Sequence, residues 1–201
     1  MKSNHSRFKD KHDLLVKLCK NDSKWTLINE SNGITTESKF LEGSTIACFR
    51  SYCIIRATPD VINDVWNGYN DIESIMIHDP NVIEYKVIKN INNDTRINYQ
   101  VNKLPWPLWS REIVYKQHRV LNGNKNYILS YSVDDEILPN QKYVRAQVHI
   151  AAYVFEKLEP NLTKITRIVH VEPKGIIPSS IINTYADKNL FMLRKLLSVY
   201  G

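Results

Sequence analysis

EPKGIIPSSIINTYADKNLFMLRKLLSVY, residues Glu172 to Tyr200, has the pattern of a strand end, a turn and a long closing helix. Gly175 permits a turn, and no helix breaker follows Pro178, which predicts a closing helix of about five or six turns. At about 100° per residue, Ile181, Ile182, Tyr185, Ala186, Leu190, Met192, Leu193, Leu196, Leu197 and Tyr200 fall on one half of the helix wheel. Asn183, Asp187, Lys188, Arg194, Lys195 and Ser198 fall on the other. Two residues cross this division. Asn189 sits near the centre of the apolar half, either as a core amide satisfied by backbone or as a polar group facing a cavity. Phe191 sits on the polar half between Lys188 and Lys195, either simply exposed or part of a contact surface.

Upstream of this stretch, the chain alternates between helical and extended patterns. Leu14, Leu15 and Leu18 at helical spacing predict a short amphipathic helix over residues 10–20, with residues 1–9 a flexible tail and 10–201 a single domain. Aromatic and β-branched residues at Trp25 to Ile28 and Thr45 to Ala57 predict strands, with Ser31-Asn32-Gly33 a turn between them. Thr58, Pro59 and Asp60 read as a helix start whose buried face is Val61, Ile62, Val65 and Trp66. After the turn at Asp79-Pro80-Asn81, strands are predicted at Glu84 to Ile91, Arg96 to Lys103, Ile113 to Val120, Tyr127 to Val133, Tyr143 to Leu158 and Lys164 to Val171. Long antiparallel strands framed by helices make an α+β fold.

Composition excludes several classes. With 201 residues and 43% hydrophobic content, one sizeable core is expected. No run of about eighteen apolar residues occurs and the first residues are polar, so a cytoplasmic location is expected. The net charge of +6 favours an acidic partner. Because basic and acidic residues are interspersed and no strand interleaves basic with aromatic residues, a membrane surface fits better than nucleic acid. Cys19, Cys48 and Cys53 read as reduced core residues. The histidines show no HxxxH or HExxH pairing, and the P-loop, GxGxxG and GxSxG patterns are missing, so no metal, nucleotide or other cofactor is expected. Asp134, Asp135 and Glu136 read as a solvated charge run rather than a catalytic group.

The stretch KITRIVHVEPKGIIPSSIIN, residues 164–183, resembles the closing signature of the StAR-related lipid-transfer (START) domain family, with Glu172 in place of the usual Asp and with Lys174, Gly175, Pro178 and Asn183 matching. PWPLWSREIVY at 105–115 is similar to the family's Pro-rich turn followed by Ser-Arg-Asp, with Glu112 for Asp. Residues 80–100, residues 144–158 and the helix carrying Trp66 also resemble the family, and Asp79-Pro80-Asn81 departs from its Trp-Asp dipeptide.

That resemblance implies a helix-grip fold, in which a curved antiparallel sheet wraps around a long C-terminal helix and a lipid lies in the tunnel between them. Sterol-binding relatives place a buried acid and arginine where this chain has Gln100 and Gln117, and choline-lipid-binding relatives place caging aromatics where it has Gln100, Ile113 and His149. Two amides offer donors and acceptors without charge, which suits an uncharged polar end. By alternation Ile113, Tyr115 and Gln117 share one face, as do His149, Ala151 and Tyr153, for inward packing or for ligand contact. The expected ligand set is therefore Gln100, Ile113, Tyr115, Gln117, His149 and Ala151, with Asn189 and Leu193 from the helix. Lys188, Phe191 and Lys195 form the expected membrane-contact strip, and Asp134 to Lys142 the expected lid. The implied function is non-enzymatic binding and intermembrane transfer of one phospholipid, sterol or ceramide-like lipid by a monomer peripheral to membranes. Alternatives are a lipid-sensing regulatory domain of a larger protein and an enzyme of the wider helix-grip superfamily.

Overall fold

Asn32 and Gly33 take φ angles of 51° and 74°, the left-handed pair that a two-residue hairpin turn requires, and join β1 (Thr26–Ser31) to β2 (Ile34–Phe40). The turn expected from Ser31-Asn32-Gly33 is thus present, and it opens a strand, β2, that the sequence reading had not separated. The computed structural model describes residues 4–20, 22, 24–133, 137–175, 177 and 190–201. The remaining strands are β3 (Ala47–Ile55), β4 (Val82–Asn92), β5 (Thr95–Asn102), β6 (Arg111–Val120), β7 (Lys125–Ser132), β8 (Val144–Arg145), β9 (Gln147–Glu159) and β10 (Leu162–Glu172). They form one ten-stranded sheet in the order β1-β2-β3-β10-β9-β7-β6-β5-β4, antiparallel throughout except that the short β8 pairs parallel with β6.

Among the described residues four helices cover this sheet: α1 (Asn4–Cys19), α2 (Ile62–Asn67) after a 3-10 turn at Pro59–Val61, α3 (Ile72–His78) and α4 (Phe191–Tyr200). The first begins at Asn4 rather than Asp10, so residues 4–9, expected as tail, are helical, and Phe8 packs on the core. Thr58 makes no capping bond to the backbone; its hydroxyl donates to Asp60 instead. The α3 helix was missed although it carries a local signal, since the Asp71 carboxylate accepts the Ser74 N–H at 2.7 Å. Below three turns long, α4 starts only after Leu190, whose ψ of 14° and φ of −98° are not helical. The rest of the expected long helix, including Lys188 and Asn189, lies outside the described residues.

Strand alternation separates two faces. On the outer face Ile97, Tyr99 and Val101 of β5 meet Val114, Leu129, Tyr131, Ile150, Ala152 and Ile168 beneath Leu15 and Leu18 of α1. On the inner face one end is sealed: Cys53 and Ile55, Ile128, Phe155 and Ile165 pack against Val61, Ile62, Val65 and Trp66 and against Leu190, Met192, Leu193 and Leu196. Each such fully buried aliphatic side chain contributes roughly 1.5–3 kcal/mol relative to exposure. A third cluster, Ile75, Val82, Tyr85 and Tyr115, seats α3 on β4 to β6.

Candidate functional site

The other end of the inner face is open inside. There β3, β5, β6, β7, β9 and β10, with α3, Pro173 and Ile177, enclose a cavity of about 280 Å³, near the lower end of the roughly 300–1,000 Å³ typical of small-ligand sites. Ile46, Phe49, Val148, Val169, Val171 and Ile177 supply much of its apolar wall. Of the residues expected in the ligand set, Gln100, Ile113, Tyr115, Gln117 and Ala151 line it.

His149 does not. The β9 and β10 ladder pairs His170 with Ile150 and then Val171 with Val148, so His149 is an extra residue at a bulge. The bulge shifts the alternation: Val148 turns to the cavity, and His149 stacks on His170 at 4.8 Å. Leu193 also lies elsewhere, fully buried in the sealed core with no exposed surface. Phe191 is half-buried at the first turn of α4 and Lys195 is exposed.

Gln100 has both its amide atoms engaged within the protein, and Gln117 its amide oxygen. Gln100 donates through Nε2 to Asn102 Oδ1 at 2.9 Å and accepts the Tyr115 hydroxyl at 3.1 Å. Gln117 Oε1 accepts from Arg96 Nε at 2.9 Å and from Asn98 Nδ2 at 3.4 Å. Arg96 in turn donates to Asn70 Oδ1 and the Trp66 carbonyl, each at 2.9 Å, and lies 4.0 Å from the centre of the Trp66 ring. Gln117 is thereby one support of a buried guanidinium that ties the segment between α2 and α3 to the sheet.

Charged residues in the wall were missed. Arg111, at the start of β6, donates to the carbonyls of Trp109, Pro173 (2.6 Å) and Lys174 (2.9 Å), pinning the turn after β10. Gly175 in that turn has φ of +72°, and a Cβ there would lie 3.4 Å from the Arg111 guanidinium. Burial lowers the Arg111 pKa, but a guanidinium stays charged. Asp79 accepts from Asn81 N (3.0 Å) and Asn81 Nδ2 (3.1 Å), yet burial dominates and raises its carboxyl above the usual range. Arg167 projects from β10 into the same cavity. Its signal was present: Ile165, Arg167, Val169 and Val171 share a face by alternation, and a lone arginine on an otherwise apolar strand face needs a reason. Among the described residues no group of three or more His, Cys, Asp or Glu is placed to hold a metal ion, and no helix is long and apolar enough to cross a membrane.

The START domain family model matches residues 8–196. START domain-containing protein 10 of Mus musculus is 26% identical over 170 residues, which cover 82% of this chain and 57% of that protein. The mitochondrial steroidogenic acute regulatory protein of Danio rerio is 26% identical over 163 residues, covering 79% and 56%. The chain therefore spans little more than half the length of these relatives. In three dimensions it superposes on human StAR-related lipid transfer protein 5 with a TM-score of 0.80, 16% identity and 94% of each chain covered, a likeness of fold. With the family model matching nearly the whole chain and the large antiparallel sheet in place, the chain belongs to the START domain family.

Proposed function

We propose that the chain binds one lipid molecule in the inner cavity and carries it, chemically unchanged, between membranes. The observation that carries this reading is the cavity itself: the sheet is sealed at one end by α2 and α4, yet its other end keeps an internal space walled mainly by aliphatic side chains. Such a space stays favourable only when apolar matter fills it. The family and the names of the relatives, lipid transfer protein among them, support the same reading. Membrane contact is best supplied at the open end. Leu104 lines the cavity there, and the loop that follows exposes Trp106 (92%) and Trp109 (62%), with Leu138 (88%) exposed on the loop between β7 and β8. Indole rings of this exposure suit the boundary between headgroups and acyl chains, and Lys103, Lys142 and Lys174 stand in the flanking sequence. Phe191 and Lys195 on α4 form a second, smaller contact candidate.

The test is transfer of labelled lipid between vesicles at cytoplasm-like salt. Ile113→Trp, which fills the cavity, should abolish occupancy and transfer while leaving the fold intact. Trp106→Ala should slow transfer several-fold with occupancy retained. Full transfer by a folded Ile113→Trp protein would place the lipid elsewhere, and a bound lipid whose mass changes on incubation would make the chain an enzyme. A lipid-sensing module of a longer protein is the second reading, favoured by the share of the relatives' length that the chain spans; it predicts tight occupancy with negligible transfer.

A further inference from the structure

We propose that Arg167 binds the oxyanion of the carried lipid, a carboxylate or a phosphate, at the inner end of the cavity. This rests on the lipid-carrier reading and specifies its cargo.

The first observation is a contrast among arginines. Arg50 is held by Glu37, Arg119 by Asp94 and Arg145 by Glu112. Arg96 is held by Gln117, Asn70 and a carbonyl, and Arg111 by carbonyls. Arg167 is half-buried and lines the cavity, and it makes no hydrogen bond or ion pair with another described residue. A guanidinium cannot shed its proton, so its charge in an apolar space requires compensation from whatever fills that space. Its planar fork matches the two oxygens of a carboxylate or phosphate better than a single hydroxyl.

The second observation is the setting. Asp79, the acid that shares the wall, makes no ion pair with Arg167 within 4 Å, and burial pushes its carboxyl toward the neutral form despite the field of Arg167. Tyr69 and Tyr153 line the same cavity, and the Tyr69 hydroxyl feels that field too. Of the groups suited to an uncharged head, Gln100 is engaged through both its amide atoms and Gln117 through its oxygen.

The third is position. Arg167 pairs with Ser51 and Tyr153, next to the sealed end, while Val169 and Val171 continue the same face toward Pro173 and Ile177. Four residues of strand are about 13 Å of apolar wall between the guanidinium and the open end. A lipid with its anionic head inward and its chain along this wall fits both.

The experiment titrates the purified chain with three lipids of one acyl chain: oleate, oleoyl lysophosphatidate and the uncharged monoolein. Wild type should bind at least one anion about tenfold or more tighter than monoolein, and which anion wins separates carboxylate from phosphate. Arg167→Gln should lose that margin while monoolein affinity stays within about twofold, and Arg167→Lys should keep part of it. Wild type binding monoolein as tightly as both anions overturns the inference, as does a margin that survives in Arg167→Gln; the wild-type comparison stands whatever the variant's stability. If monoolein, phosphatidylcholine or cholesterol bind and the anions do not, this inference alone fails. If no lipid binds the folded wild type, the carrier reading fails with it.

Discussion

The two faces of the same central strands bury their residues in different ways. In β5, Ile97, Tyr99 and Val101 are buried in the outer-face core, and Arg96, Asn98 and Gln100 are just as buried on the inner face. Where the outer face carries a charge, it is saturated: Glu112, with no exposed surface, accepts from Arg145 Nε at 3.1 Å, the Tyr99 hydroxyl at 3.0 Å and Asn140 N at 2.8 Å. The inner face is incomplete by comparison. Arg167 has no partner and Asn98 Oδ1 no hydrogen bond among the described residues. Polar alternation on a strand ordinarily signals a face turned to water; here it signals an enclosed space, and the groups left open in that space indicate what is meant to enter it.

Removing one charge from each face tests this contrast most strongly. Glu112→Gln leaves Arg145 with a weakened partner in a buried network and should cost about 3 kcal/mol in urea unfolding, whereas Arg167→Gln should leave the melting temperature unchanged or higher. Equal losses would mean that both charges are structural. A smaller effect separates packing from open space: Val154→Ala on the outer face should cost about 2 kcal/mol, and Val169→Ala on the cavity wall less than about 1 kcal/mol, because the second only enlarges an existing void. Equal costs would show the inner wall to be as tightly packed as the outer.

Acid sensitivity should come from the outer face. Burial lowers the pKa of His118 to about 4, aided by Lys116, and that of His170 to about 4, aided by His149. His118 faces Thr95, Tyr131 and Phe8, while His170 faces Ser44 and stacks on His149, which sits 3.4 Å from Glu172. The unfolded chain, with histidines near 6.5, binds more protons than the folded one between about pH 6.5 and 4. Stability from these two residues is therefore complete above about pH 6.5, falls as the pH drops through that window and levels off below about 4. His170→Gln should remove roughly 3 kcal/mol of pH-dependent stability across the window, and a profile identical to wild type would show that His170 protonates freely in the folded state.

Much of this protein is legible locally. The Asn32-Gly33 turn follows from residues that tolerate positive φ, the strands from period-two alternation, and the shared face of Ile113, Tyr115 and Gln117 from the same period. Motifs around Gly175 and Arg111 marked the family, and the backbone shows why both residues stand there: the guanidinium seals the turn that the glycine makes. Other features depend on partners far away in the chain. His149 left the cavity because β10 is one residue out of step with β9, and a bulge is a property of two strands. Gln117 is engaged because Arg96 reaches it across the β5 and β6 pairing, and Leu193 is core because α4 meets the strand ends gathered at the sealed side. Arg167 stands on its face by alternation alone, but only the assembled cavity shows that the remaining acid of that wall lies out of its reach. Periodicity determines which way a side chain points; whether its hydrogen bonds are met is decided by neighbours that only the tertiary fold brings together.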